Sequence, residues 1–248
     1  TKELPKPLVP YAGRCRMIDF SLQNCVDSGV PELLLMSKHL ERQIHQYLME
    51  NWQTKLSLHF GCYNEIHHEP AELVYQRVTR AEERGTADAL IRNQPYIDRE
   101  DINDVLILHS DHIYNFNYRA MYQQHLETGA VLTLGYQRIP MRFVSLFGMT
   151  EFDTDNNLTA FIEKPAHPTS DKVFTAVCIF NKAVMYRYLN QMHAEKGLGL
   201  DISHHLIPAM LANNEIIKGF HFEDYWEDIG TTERYYLGHM KLLQDNIE

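Results

Sequence analysis

The sequence predicts an α/β fold in one domain, built on a mixed, mostly parallel sheet. Three observations carry that reading. Short apolar runs alternate with helical periodicity nearly throughout the chain. A strand–helix–strand order over residues 104–136 calls for parallel strands with helices on the sheet faces. The second half then turns to hairpin chemistry, with Asp155-Asn156-Asn157 set between two apolar runs.

A helix from about Phe20 comes first, with Gly29 as its cap. Glu32 to Met36 (ELLLM) follows as a buried strand. Asp104 to His109 (DVLILH) is the best strand in the chain and Ala130 to Tyr136 (AVLTLGY) is another, with a helix over Tyr118 to Leu126 between them. Phe147 to Phe152 and Leu158 to Ile162 are the arms of an antiparallel hairpin. Val173 to Phe180 adds a strand and Lys182 to Met192 a helix. Ile202 to Ala212 is a further helix, with Asp201 as its N-cap. Ile216 to Phe222 is a strand, and Thr232 to Gln244 a closing helix. No internal repeat, heptad run or low-complexity linker interrupts this order.

Composition narrows the function. The 248 residues are 44% hydrophobic and 23% charged, the proportions of a soluble globular protein. No apolar run approaches the roughly 20 residues of a membrane span, and no signal-peptide pattern opens the chain. A net charge of −10 argues against a general nucleic-acid binder, which needs excess Lys and Arg to neutralise phosphates. A phosphate-bearing substrate therefore requires local cations. Cys15, Cys25, Cys62 and Cys178 form no CxxC, and reduced thiols in the cytoplasm are the expectation. Cys178 lies in an apolar run, as a small buried hydrophobe does. The chain opens on Thr1, which suggests a fragment or a processed form.

In open α/β sheets, ligands bind beyond the carboxyl ends of strands. Asp111, just past DVLILH in His109-Ser110-Asp111-His112, stands at such a point, where a carboxylate suits Mg²⁺. Alone it reads equally as a turn or N-cap aspartate. The flanking histidines raise zinc as a rival, but they are too close in sequence to converge with Asp111 unless they lie on a bend, and no HExxH accompanies them. Asp228, in YWEDIGT after the strand ending near Phe222, is a weak signal by itself, since an Asp before Ile-Gly-Thr is often a turn residue. Lys164 in FIEKP is a lysine at a strand end before proline, fixed in direction for a phosphate contact; the ordinary alternative is a solvated lysine. Lys6, between Pro5 and Pro7, presents its ammonium at little entropic cost, or is only a charged loop residue. Gly85-Thr86-Ala87 opens a helical stretch whose small residues admit a flat base, or simply starts a helix.

Taken in order, KPLVPYAGRCRMIDFSLQNCVDSG, RGTADAL, HSDHIYNFNY, FGMTEFD, FIEKP, DISHHLIP and YWEDIGT resemble the segments of the glucose-1-phosphate adenylyltransferase family, from Lys6 to about Tyr236. The resemblance implies a dinucleotide-binding-like (Rossmann-like, GT-A-like) nucleotidyltransferase fold. It also implies transfer of a nucleotidyl group from ATP, or another NTP, to glucose 1-phosphate, giving ADP-glucose and pyrophosphate for glycogen or starch synthesis. Asp111 and Asp228 would then hold Mg²⁺, Lys164 grip the sugar phosphate and Lys6 contact nucleotide phosphates. Glu163 and Asp201 would accept hydrogen bonds from sugar hydroxyls, Gly148 line the sugar pocket, and Gly85, Thr86 and Ala87 border base and ribose. The full-length protein is expected to be a homo-oligomer, binding neither nucleic acid nor membrane.

Several positions depart from the family pattern. Its GGxGxRL loop does not precede Lys6, and its left-handed β-helix domain does not follow Glu248; both are expected outside this stretch. Its adenine-reading segment appears as Pro70-Ala71-Glu72-Leu73, and an aromatic pair is replaced by Glu82 and Glu83. Ala176 and Cys178 stand where serine and glycine are usual, and His204-His205 replaces a Lys-Asp pair. The rival reading is a non-catalytic regulatory subunit or sugar-phosphate-binding paralogue, against which retention of Asp111, Lys164 and Asp228 speaks. A metal-dependent glycosyltransferase shares the strand-end aspartate but does not predict EKP or YWEDIGT.

Overall fold

The computed structural model describes residues 3–37, 40–61, 85–196 and 201–244. Cys62, Pro70 to Leu73, Glu82 and Glu83 lie outside them. After a 3-10 turn at Lys6–Leu8 come β1 (Pro10–Tyr11), β2 (Cys15–Arg16) and α1 (Met17–Ser28). The helix begins earlier than its apolar pattern indicates, because the Asp19 carboxylate accepts the Arg16 N–H at 2.7 Å and completes the first turn. Gly29 closes it in the left-handed region, φ 69°. Next are β3 (Glu32–Leu35), α2 (Glu41–Asn51), β4 (Ser57–Phe60), α3 (Thr86–Arg92), α4 (Gln94–Ile97), β5 (Asp104–Leu108), β6 (His112–Tyr114) and α5 (Tyr118–Thr128). The chain continues through β7 (Leu132–Arg138), α6 (Met141–Val144), β8 (Gly148–Phe152), β9 (Leu158–Glu163), β10 (Lys172–Asn181) and α7 (Lys182–Lys196). It closes with a π-helical turn (Ile202–Leu206), α8 (Ile207–Ala212), β11 (Ile217–His221), β12 (Trp226–Asp228) and α9 (Thr232–Gln244).

The described residues fall into two compact units, one within Thr1–Glu69, His109–Arg119 and Asp224–Glu248, the other within Pro70–Leu108 and Ala120–Glu223. The second unit holds a six-stranded sheet in the order β11-β7-β10-β8-β9, with β5 also on β10. β11 is parallel to β7, while β10 is antiparallel to β5, β7 and β8, and β9 to β8. The sheet is therefore mixed, with β5, β7, β8 and β11 pointing one way. This is the α/β, dinucleotide-binding-like arrangement that the motifs imply. β5 and β7 run in parallel but are not neighbours, because β10 lies between them. Leu132, Leu134, Val173, Val177 and Phe180 are fully buried on these strands.

In the first unit, β3 and β4 form a parallel pair, β1 and β2 an antiparallel one, and β6 and β12 another. β3 differs from the expected buried strand: Glu32 is exposed and Leu33 to Leu35 are half-buried. A two-stranded ribbon leaves a strand less covered than the middle of a wide sheet does. Tyr11, Met17, Ile113 and Ile229 make a core cluster here. Asp19 also accepts from Tyr47 Oη at 2.8 Å and Trp52 Nε1 at 2.9 Å, fastening α2 to α1.

The helix expected over Ile202 to Ala212 is split into the π turn and α8. Pro208 has no N–H to return to the preceding turn, and the Leu206 N–H reaches back to the Asp201 carbonyl at 3.2 Å. Cys25 and Cys178 are buried free thiols. Burial pushes Cys25 up to about 12 and raises Cys178 strongly, so both act as small apolar groups. No helix among the described residues is long and apolar enough to cross a membrane.

Candidate active site

Asp111 lies in the turn between β5 and β6. Its carbonyl accepts the Ile229 N–H at 3.4 Å, and on the adjoining ladder Asp228 stands opposite His112. β6 is anchored in turn to α1, where Asn24 Nδ2 donates to the Tyr114 carbonyl at 3.0 Å. The Tyr114 hydroxyl meets Ser21 Oγ at 3.3 Å and Tyr118 Oη at 3.0 Å. Two aspartates far apart in sequence thus come to neighbouring points of one short ladder and its turn. Asp228 is the last residue of a strand and not the turn residue that was its ordinary alternative; pairing with β6 draws it into extended conformation.

Lys6 is set by the 3-10 turn, which the Leu8 N–H closes on the Pro5 carbonyl at 2.9 Å. Its Nζ donates to Asp111 Oδ2 at 2.8 Å. Asp111 Oδ1 lies 3.5 Å from His112 Nε2. Burial raises the Asp111 pKa, but His112 and the Lys6 ammonium outweigh it and hold the carboxyl below the usual aspartate value. Asp228 pairs with Arg234 of α9. His112 is buried, and desolvation pushes it down to about 4 against the pull of Asp111 and Asp228. Its Nδ1 accepts from Trp226 Nε1 at 3.1 Å. His109, Asp111 and His112 do converge, with ligand atoms within 4.8 Å of one another. The β5–β6 turn is the bend that sequence spacing alone did not reveal.

The second unit carries the other candidates. Gly148 faces Glu163 across the β8–β9 hairpin, in register. A Cβ on Gly148 would sit 2.9 Å from Glu163 Oε2 and 2.9 Å from Phe161 Cζ, so the carboxylate's position requires glycine. Lys164 is exposed, with Nζ 3.8 Å from Glu163 Oε1. Its φ is 48°, an uncommon conformation for a side-chain-bearing residue, held by its N–H on the Phe147 carbonyl at 2.9 Å. Such strain concentrates at binding sites. Asp201 is heavily engaged: Oδ1 accepts the Ser203 and His204 N–H groups, and Oδ2 the Thr86 hydroxyl at 2.9 Å. Gly85 precedes α3, Thr86 is exposed, and Ala87 is fully buried, so its side chain belongs to the core. Ala176 sits at the β10 bulge with φ 60°.

The profile of the family described as Nucleotidyl transferase matches residues 1–245. The chain belongs to the nucleotidyl transferase family. Among curated relatives of the chain, the valienol-1-phosphate guanylyltransferase of Streptomyces hygroscopicus subsp. limoneus is 44% identical over 248 residues, covering 96% of this chain and 66% of the relative. The glucose-1-phosphate adenylyltransferase of Clostridium beijerinckii is 34% identical over 251 residues, covering 100% and 63%. Glucose-1-phosphate adenylyltransferase 2 of Vibrio cholerae is 30% identical over 261 residues, covering 98% and 62%. The chain thus spans slightly less than two thirds of these relatives' lengths.

Sequence reasoning singled out Asp111, Asp228 and Lys6. It missed His112, Trp226 and Arg234 as a set. The available signal was the pair of histidines flanking Asp111 together with the Trp-Glu-Asp triplet; β6 and β12, which carry His112 and Trp226, are strands of only three residues.

Proposed function

We propose that the protein transfers a nucleotidyl group from an NTP to a sugar 1-phosphate or cyclitol 1-phosphate, releasing pyrophosphate. The observation that carries this reading is the Lys6–Asp111 ion pair beside the β6–β12 ladder, on which Asp228 stands opposite His112. An acceptor phosphate oxygen forms a bond to the α-phosphorus, the α–β phosphoanhydride bond breaks, and pyrophosphate leaves. Two anions must meet, so positioning and positive charge matter more than proton transfer. Two carboxylates fit a hard, oxygen-seeking cation, and bound Mg²⁺ would supply charge neutralisation and phosphate orientation. Asp111 and Asp228 would hold it. Lys6, which donates to Asp111, would exchange that carboxylate for a nucleotide phosphate. Lys164 would take the acceptor phosphate, while Glu163, seated over Gly148, would accept from acceptor hydroxyls.

For the substrate pair, the 44% identity to a valienol-1-phosphate guanylyltransferase favours GTP and a cyclitol 1-phosphate. The departures at Ala176, Cys178 and His204-His205 from the glucose pattern support the same direction. The ordered motifs shared with glucose-1-phosphate adenylyltransferases support ATP and glucose 1-phosphate as the second reading. The test is Mg²⁺-dependent pyrophosphate release by the full-length protein, with each NTP offered alongside valienol 1-phosphate or glucose 1-phosphate. Turnover with one pair assigns the substrates. Silence with every pair would remove the transferase reading in favour of a regulatory or binding role.

A further inference from the structure

We infer that Trp226 sets the metal preference of this site, by fixing the tautomer of His112 so that its imidazole has no lone pair to give. The inference rests on the reading of Asp111 as a metal carboxylate. An indole N–H is only ever a donor. Since Trp226 Nε1 donates to His112 Nδ1 at 3.1 Å, that nitrogen carries no proton. The ring proton therefore sits on Nε2, the atom that faces Asp111 Oδ1 at 3.5 Å. One nitrogen is spent on Trp226 and the other is capped by hydrogen.

This reverses the usual arrangement of a ligating histidine, whose distal N–H donates to a carboxylate or carbonyl and leaves the other nitrogen free for the metal. His109, Asp111 and His112 have the spacing of a transition-metal site, within 4.8 Å of one another. Trp226 disarms it. What is left for a cation is carboxylate oxygen and the single imidazole of His109, a set that suits Mg²⁺ through its oxygens and leaves Zn²⁺ or Co²⁺ one imidazole short. His112 is then a positioning residue: its Nε2–H confronts Asp111 from the side opposite the Lys6 ion pair.

Two measurements on the full-length protein test this. In ¹⁵N-histidine-labelled protein, long-range ¹H–¹⁵N spectra report each tautomer, and His112 is assigned by the signal missing from His112→Gln. The expected pattern is a protonated Nε2 and a bare Nδ1; the reverse, or an imidazolium near neutral pH, overturns the inference. Trp226→Phe keeps an aromatic ring and removes only the donor. It is expected to bind Co²⁺ on the order of tenfold more tightly, with ligand-field bands of imidazole coordination. The gain should vanish in Trp226→Phe/His112→Gln. Unchanged Co²⁺ affinity in a folded Trp226→Phe protein also overturns it. Should that variant not fold, the wild-type tautomer decides alone. Neither readout uses turnover, so an inactive protein would sink the transferase proposal and leave this one standing.

Discussion

At the scale of single residues, the site divides into groups that carry charge and groups that make room for it. Asp111 is half-buried, ionised and held by Lys6. Asp111→Asn keeps its shape and removes its charge; turnover is expected to fall on the order of 10²-fold or more, with an unchanged circular dichroism spectrum. An active Asp111→Asn protein would refute the metal assignment. Gly148 is the complementary case. Gly148→Ala forces a Cβ onto Glu163 and Phe161, a strain of about 1–3 kcal/mol. Denaturant unfolding should show that loss, and KM for the acceptor should rise more than kcat falls. Asp111 stood out as a candidate in the sequence because a strand-end carboxylate has a recognisable place in α/β sheets, and the ordered motifs around it weighed against an ordinary turn aspartate. The Trp226–His112 contact was not, because nothing local joins residues separated by 114 positions.

Elements behave according to how local their determinants are. The β8–β9 hairpin was readable, since alternation and an Asp-Asn-Asn turn are neighbours in sequence; Asn156 takes φ 60° there. The place of β10 between β5 and β7 was not, since register across a sheet is a long-range property. Strands β6 and β12 are too short for any periodicity. The π turn after Asp201 offers a test at this scale. Burial raises the Asp201 pKa, but the His204 N–H, the Thr86 hydroxyl and the Ser203 N–H outweigh it and leave the carboxyl below its usual value. Asp201→Ala is expected to cost about 1 kcal/mol in denaturant unfolding at neutral pH. The folded chain here binds a proton less readily than the unfolded one. The contribution is therefore complete above the ordinary aspartate value of about 3.9 and is lost as the pH falls through the lower folded value. The gap between wild type and Asp201→Ala should close in acid; a gap that widens would reverse the assignment.

For the whole molecule, the first unit is assembled from three separated stretches, and the last of them carries β12 and Ile229. A chain ending at Glu223 loses the partner of β6 and one member of the Tyr11, Met17, Ile113 and Ile229 cluster. Limited proteolysis should then cut within the first unit while the six-stranded sheet stays protected, since all its strands precede residue 223. Equal protection of the first unit in the shortened and complete chains would show that β12 is dispensable.

The same ladder has a meaning for synthesis. His112 leaves the ribosome long before Trp226, and until β12 emerges β6 has no strand to pair with and Asp111 no companion carboxylate. The sheet of the second unit can close first, and Asp228 reaches its place opposite His112 only as β12 docks. On the proposed reading of Asp111 and Asp228 as a metal pair, a nascent chain or one terminated before β12 would lack the second carboxylate, and cation binding would wait until translation has passed Asp228.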